Sequence, residues 1–205
     1  MFLVFTVIPD STPCLLHLLL LTDLFVHSSS RPTHNPSLCG MFGSMVAQVD
    51  RLINLYKKLH ELSDDELRLV AVEHRLHDLP HIQHTAAHFS SLKVNESLTQ
   101  LYVYGQSFNL HMDWLKTAKD NVSLSSQAVE DASTHLRQLS NLVKASLLQI
   151  SEEAPRLPSP SLPVASTAFD VLQFSIEMSE RLRVFCDWSK RVLRHLQRLS
   201  RCPKH

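Results

Sequence analysis

The 205-residue sequence balances 20 Lys and Arg against 20 Asp and Glu, so its global charge points to neither nucleic acid nor a polyanion. An apolar content of 44% is enough for the core of one domain, and a total of 3 glycines argues against a glycine-rich phosphate loop. Any electrostatic function must be local.

The chain opens apolar from Met1 to Ile8, is interrupted by Pro9 and Asp10, and turns apolar again from Cys14 through Val26. Asp23 leaves the second run too short to span a bilayer comfortably, and the small residues Ser28, Ser29 and Ser30 follow. The pattern predicts a secretory signal peptide over residues 1–28, with cleavage between Val26 and Arg31. Because the first residues lack Lys and Arg, a signal anchor or a misassigned start is the competing reading. Residues 29–37 are polar, hold Pro32 and Pro36, and read as a flexible tail. Secretion permits glycans: Asn95-Glu96-Ser97 and Asn121-Val122-Ser123 fit the acceptor pattern, whereas Pro36 excludes Asn35.

From Leu38 the apolar residues Phe42, Met45, Val46, Val49, Leu52, Ile53, Tyr56 and Leu59 recur at three and four, which predicts a helix reaching Leu62. Gly40 and Gly43 lie in its first turns and read as fraying. Ser63-Asp64-Asp65-Glu66 is a capping box that restarts a short helix, expected to run to about His77 before Leu79-Pro80. Pro80 to Val94 shows little periodicity and reads as a long connection. A second long helix is expected from Asn95 to Lys119 on Leu98, Leu101, Tyr102, Phe108, Met112 and Leu115, with Gly105 marking a tight crossing. After a short polar turn, a third is expected from Gln127 to Glu152 on Val129, Ala132, Leu136, Leu139, Val143, Leu147 and Ile150. Pro155, Pro158, Pro160 and Pro163 then forbid a helix and predict an extended crossover.

The last helix, Thr167 to Arg201, opens on a Thr-x-x-Asp cap and stripes Val171, Phe174, Met178, Leu182, Phe185, Val192, Leu196 and Leu199 along one face. Beside that stripe Arg191, Arg194, Arg198 and Arg201 share the same spacing and form a basic ridge, either a solvated face suited to the helix dipole or a partner surface. Two long links flanking one short link predict an all-α, up-up-down-down four-helix bundle. Such packing brings Cys39 and Cys202 to one end, where a disulfide is geometrically reasonable. Cys186, sixteen residues down the same helix, is expected to be free and partly buried, and Cys14 would leave with the signal peptide.

Catalytic chemistry is poorly supported. His81, His84 and His88 offer a four-residue pair but no His-Glu-x-x-His motif, so no metal or cofactor is expected; no serine sits in a Gly-x-Ser-x-Gly elbow, and the chain reads as a non-enzyme. Trp114 and Trp188 read as half-buried core edges. Phe169, just after the crossover and ahead of the core stripe, is an exposed aromatic poised for a partner.

Leu79-Pro80, the segment Trp114-Leu115-Lys116-Thr117-Ala118, the proline-rich crossover and Asp187-Trp188 with Arg191 together resemble the interleukin-11 family, among the long-chain cytokines related to interleukin-6. Residues 91–98 and 185–200 look especially like the fish members. The resemblance covers residues 38–202 and rests on combined order and spacing rather than one motif. It implies a four-helix cytokine that binds an interleukin-11-type alpha receptor and then the shared signal-transducing receptor of the interleukin-6 family. It further implies a secreted ligand, monomeric before receptor assembly and not inserted into membrane, that activates receptor-bound kinases. Carried over, Arg191, Arg194, Arg198 and Arg201 fall on the alpha-receptor surface and Phe169 on the shared-receptor surface. Phe169 stands where the mammalian pattern has tryptophan, and that pattern lacks the cysteines. The receptor surface on the first and third helices is not assignable residue by residue.

Two other classes compete. A secreted amphipathic bundle opening onto lipid would favour internal repeats, and none is visible. A zinc hydrolase using His84 and His88 would hold metal.

Overall fold

A computed structural model describes residues 37–203, apart from 71–73, 83–84, 86–88, 90 and 159. The predicted signal peptide, nearly all of the tail, and His84 and His88 lie outside the described residues. Among those described the chain is helical and has no strand: α1 (Leu38–Leu55), a 3-10 turn (Tyr56–Lys58), α2 (Asp64–Leu69), α3 (Val94–Asn121), α4 (Gln127–Gln149) and α5 (Ala168–Leu199). The four long helices stand where the apolar periodicity predicts them.

Their directions follow from which side chains meet. Near the start of α1, Met41 receives the hydroxyl of Ser146 from the end of α4, and farther along Gln48 accepts from His135 at 2.9 Å, so α1 and α4 are antiparallel. Between α3 and α5, Tyr104 meets Trp188, Phe108 meets Phe185 and Trp114 meets Phe174, with ring centroids 5.2, 4.9 and 5.1 Å apart. Ascending numbers on one helix face descending numbers on the other, so this pair is also antiparallel. Helices α1 and α3 therefore run up while α4 and α5 run down, and each upward helix packs on both downward ones. This is the up-up-down-down bundle.

Gly105 marks the predicted tight crossing. It is buried, and a Cβ placed there would lie 3.2 Å from the Ser140 hydroxyl on α4, closer than an ordinary contact. Trp188 goes deeper than a core edge, being fully buried between α3 and α5, while Trp114 is half-buried and meets Phe174 edge-on. Leu199, expected in the core stripe, is 49% exposed because it lies on the last turn of α5.

Helix ends account for most other departures. α1 stops at Leu55 rather than Leu62: the chain tightens into the 3-10 turn, Leu59 and His60 tuck inward, and Glu61 takes a left-handed φ of 58° that no helix interior accepts. The Ser63 capping box forms with Glu66, but α2 ends at Leu69 instead of reaching His77. Part of the reason is long-range. The backbone N–H groups of Arg75 and Leu76, which a continuing helix would turn back on its own carbonyls, donate instead to the Glu177 carboxylate on α5.

The first connection is thereby drawn into the fold, and Leu76, Leu79 and Ile82 join the core. Asp78 links it to the rest. Its carbonyl accepts from the Ser107 hydroxyl of α3, and its carboxylate accepts the Ser161 N–H of the proline-rich crossover.

Cys39 and Cys202 form the expected disulfide, with Cα atoms 5.5 Å apart, joining the first turn of α1 to the chain just past α5. Cys186 is fully rather than partly buried. Burial, reinforced by Asp187 and Asp50, pushes its thiol well above the usual range, as expected of an inert core cysteine.

Candidate functional site

The first candidate surface is the start of α5. Thr167 caps the helix: its hydroxyl oxygen accepts the Asp170 N–H, while the Asp170 carboxylate accepts the Thr167 N–H at 3.1 Å. The same carboxylate takes the Thr167 hydroxyl at 2.8 Å, the Ser166 N–H and the Arg75 guanidinium. The Thr167 hydroxyl, aided by Arg75, holds it below the ordinary aspartate range. Arg75 also lies over the Phe174 ring, 4.4 Å from its centroid. Onto this fixed helix start Phe169 projects 63% exposed, as expected from its place ahead of the stripe.

The first connection is clamped below it. Glu177 is a wholly buried carboxylate that receives Arg75 N–H at 2.8 Å and Leu76 N–H at 3.1 Å, with Arg181 and His74 each 3.7 Å away. Arg181 completes the clamp by donating to the Leu76 carbonyl. Sequence reasoning missed this group, although Glu177 and Arg181 sit four apart beside the apolar stripe of α5, a spacing that signals a paired charge on a buried face.

The second candidate surface is the end of α5. Arg191, Arg194 and Arg198 are exposed along the helix. On the same helix Arg183 pairs with Asp187 and Lys190 with Asp50 of α1, whereas the ridge arginines make no carboxylate pair among the described residues. Arg201 departs from the expected ridge. The helix ends at Leu199, and Arg201 takes a left-handed φ of 52° so that the Cys202 N–H reaches the Gln197 carbonyl. The ridge on the helix is thus three arginines, and the fourth stands beyond its cap.

The remaining candidates scatter. His81 is exposed, and among the described residues no group of three or more His, Cys, Asp or Glu is arranged to hold a metal ion. Asn121 is exposed as the last residue of α3, ahead of a turn in which Ser123 has a φ of 58°. Asn95 lies half-buried in the first turn of α3, and its amide donates to Glu152 at 3.2 Å.

A family model described as Interleukin 11 matches residues 32–200. The chain belongs to the interleukin-11 family. It is a cytokine of the interleukin-6 group, a class that acts by binding receptors and is in general non-enzymatic. Comparisons with curated proteins and with solved structures returned no match. Interleukin-11 relatives and their kin are typically secreted, and no helix among the described residues is long and apolar enough to cross a membrane.

Proposed function

We propose that this cytokine is a secreted ligand that bridges an interleukin-11-type alpha receptor and the shared signal-transducing receptor of the interleukin-6 family, activating receptor-bound kinases by assembly. The observation that carries the reading is the division of α5 into two exposed features on one rigid rod. Over 32 residues the helix spans about 48 Å, with Phe169 at one end and, at the other, Arg191, Arg194 and Arg198, which have no carboxylate pair among the described residues. That separation suits two receptors held at once. Arg201 belongs to the alpha-receptor surface from just beyond the helix. The disulfide between the first turn of α1 and the chain just past α5 opposes the opening that a lipid-binding bundle requires.

The mature protein is expected to activate reporter cells carrying both receptors and none carrying the shared receptor alone. Arg198→Glu should weaken alpha-receptor binding by about tenfold or more with the fold intact, because it reverses a charge on the contact face. Phe169→Ala should keep alpha-receptor affinity and lose signalling through the shared receptor, as truncating an exposed aromatic anchor costs about 2 kcal/mol. Equal potency of both variants with wild type rejects the assignment.

The glycosylation sites are separable. Asn121 presents an exposed amide next to a turn, whereas a glycan on Asn95 would break its hydrogen bond to Glu152 in a sequon whose Ser97 is fully buried. In chain secreted from eukaryotic cells, Asn121→Gln should abolish the glycosidase-sensitive mass shift and Asn95→Gln should leave it unchanged. A shift lost only with Asn95→Gln would reverse the order.

A further inference from the structure

Between α3, the first connection and the proline-rich crossover lies a cavity of about 360 Å3, a size typical of small-molecule sites, and no residue of α5 lines it. Val103, Tyr104 and Leu110 face it from α3, Pro80 from the first connection, and Leu157, Pro158 and Pro160 from the crossover. The prolines present ring carbons and no N–H donor, so this wall is apolar. Tyr104 is held from two sides: its ring packs on the buried Trp188 with centroids 5.2 Å apart, and its hydroxyl accepts from the Gln100 amide at 2.8 Å. A rigid apolar wall of this kind suits an apolar or aromatic body.

The polar groups of the lining narrow the choice. Ser107 spends its hydroxyl hydrogen on the Asp78 carbonyl. Among the described residues that line the cavity, Asp78 alone is charged. Its carboxylate accepts the Ser161 N–H through Oδ2 and pairs with no cation among the described residues, so Oδ1 remains as a charged acceptor beside apolar surface. An anion would be repelled there. A neutral hydrocarbon would take water from the carboxylate without replacing its hydrogen bonds. A molecule that joins a protonated amine to an apolar body meets both demands.

We propose that this cavity binds a small lipophilic amine, its ammonium on the Asp78 carboxylate and its apolar body against Tyr104 and the crossover prolines. Such a ligand touches α3 and both long links at once, and it reinforces the junction that Asp78 already makes between them. Because it binds the folded chain, it stabilises that chain by mass action.

The probe is 4-phenylbutylamine, compared with 4-phenylbutanol and 5-phenylpentanoate, which carry a hydroxyl and a carboxylate in place of the ammonium. Titrated into the mature protein, the amine should shift the amide resonances of Val103, Ser107, Leu157 and Ser161 saturably and raise the thermal midpoint. It should bind about fivefold or more tighter than the alcohol, and the carboxylate should bind weakest. Asp78→Asn keeps an oxygen for the Ser161 N–H and the backbone carbonyl for Ser107, yet it should bring amine affinity down to that of the alcohol. Val103→Trp, which fills the cavity from α3, should remove binding of both. The ranking of the probes on wild type decides the charge preference even if the Asp78 variant is unstable. No saturable shift with the amine, equal affinity for amine and carboxylate, or undiminished amine affinity in a folded Asp78→Asn variant would each overturn the proposal. A wild-type dimer in sedimentation that Val103→Trp dissociates would give the cavity to a second copy of the chain and overturn it as well.

Discussion

Glu177→Ala is expected to destabilise the bundle by about 3–5 kcal/mol, the range for removing one partner of a buried, hydrogen-bonded charge. Its carboxylate is fully buried and accepts the N–H groups of Arg75 and Leu76 from a segment about a hundred residues away in sequence. Removing it strands both donors and takes the nearest carboxylate from Arg181, whose side chain is 25% exposed and lies 3.7 Å away. The loss should be local in its first consequence. In hydrogen exchange, the amides of Arg75 and Leu76 should lose protection before those of α3 and α4. Glu177→Gln keeps the shape and one acceptor oxygen but turns an amide NH2 toward backbone donors, so its cost should fall between wild type and alanine. Denaturant unfolding measures the size of the effect; an alanine variant within about 0.5 kcal/mol of wild type would show that the clamp contributes nothing.

That clamp shows where sequence reading stops. The long helices were legible because Val129 to Leu147 on α4 and Val171 to Leu196 on α5 recur at the spacing of a buried helix face, and those residues are buried. The caps were equally local. Ser63 with Glu66 and Thr167 with Asp170 form the boxes their spacing announces. The end of α2 was not legible, since its continuation depends on Glu177, and no window around Arg75 contains that acceptor. Arg201 failed for a nearer reason: its spacing continues the ridge, but the backbone turns left-handed after Leu199 so that Cys202 meets Cys39. On the surfaces, exposure of Phe169 followed from its position ahead of the stripe, off the buried spacing that begins at Val171.

Cys39→Ala combined with Cys202→Ala should produce the other large loss. The bridge closes 163 residues, and the chain-entropy relation gives about 5 kcal/mol for a loop of that length, against about 2–5 kcal/mol for native disulfides removed from small secreted domains. A domain stable by about 5–15 kcal/mol would survive with its margin much reduced. Both cysteines are half-buried, so alanine removes little packing and the deficit arises mainly from the freer unfolded chain. Two comparisons separate that origin from local damage. Reduced wild type should unfold at the same denaturant concentration as the double variant, since each lacks only the cross-link. Made without residues 1–28, and so without Cys14, the native double variant should also resist thiol reagents, because Cys186 is fully buried with its thiol held protonated, and should label once per chain on unfolding. At the receptor surface the effect should be graded. The N–H groups of Arg201 and Cys202 still cap α5 through the Arg198 and Gln197 carbonyls, so Arg191, Arg194 and Arg198 keep their helix, but the end of α5 loses its tie to α1. Alpha-receptor affinity should therefore fall by a few-fold, roughly 1 kcal/mol, while signalling defects specific to Phe169, at the far end of α5, should not appear. A double variant that matches oxidised wild type in both unfolding and receptor binding would deny the bridge either role.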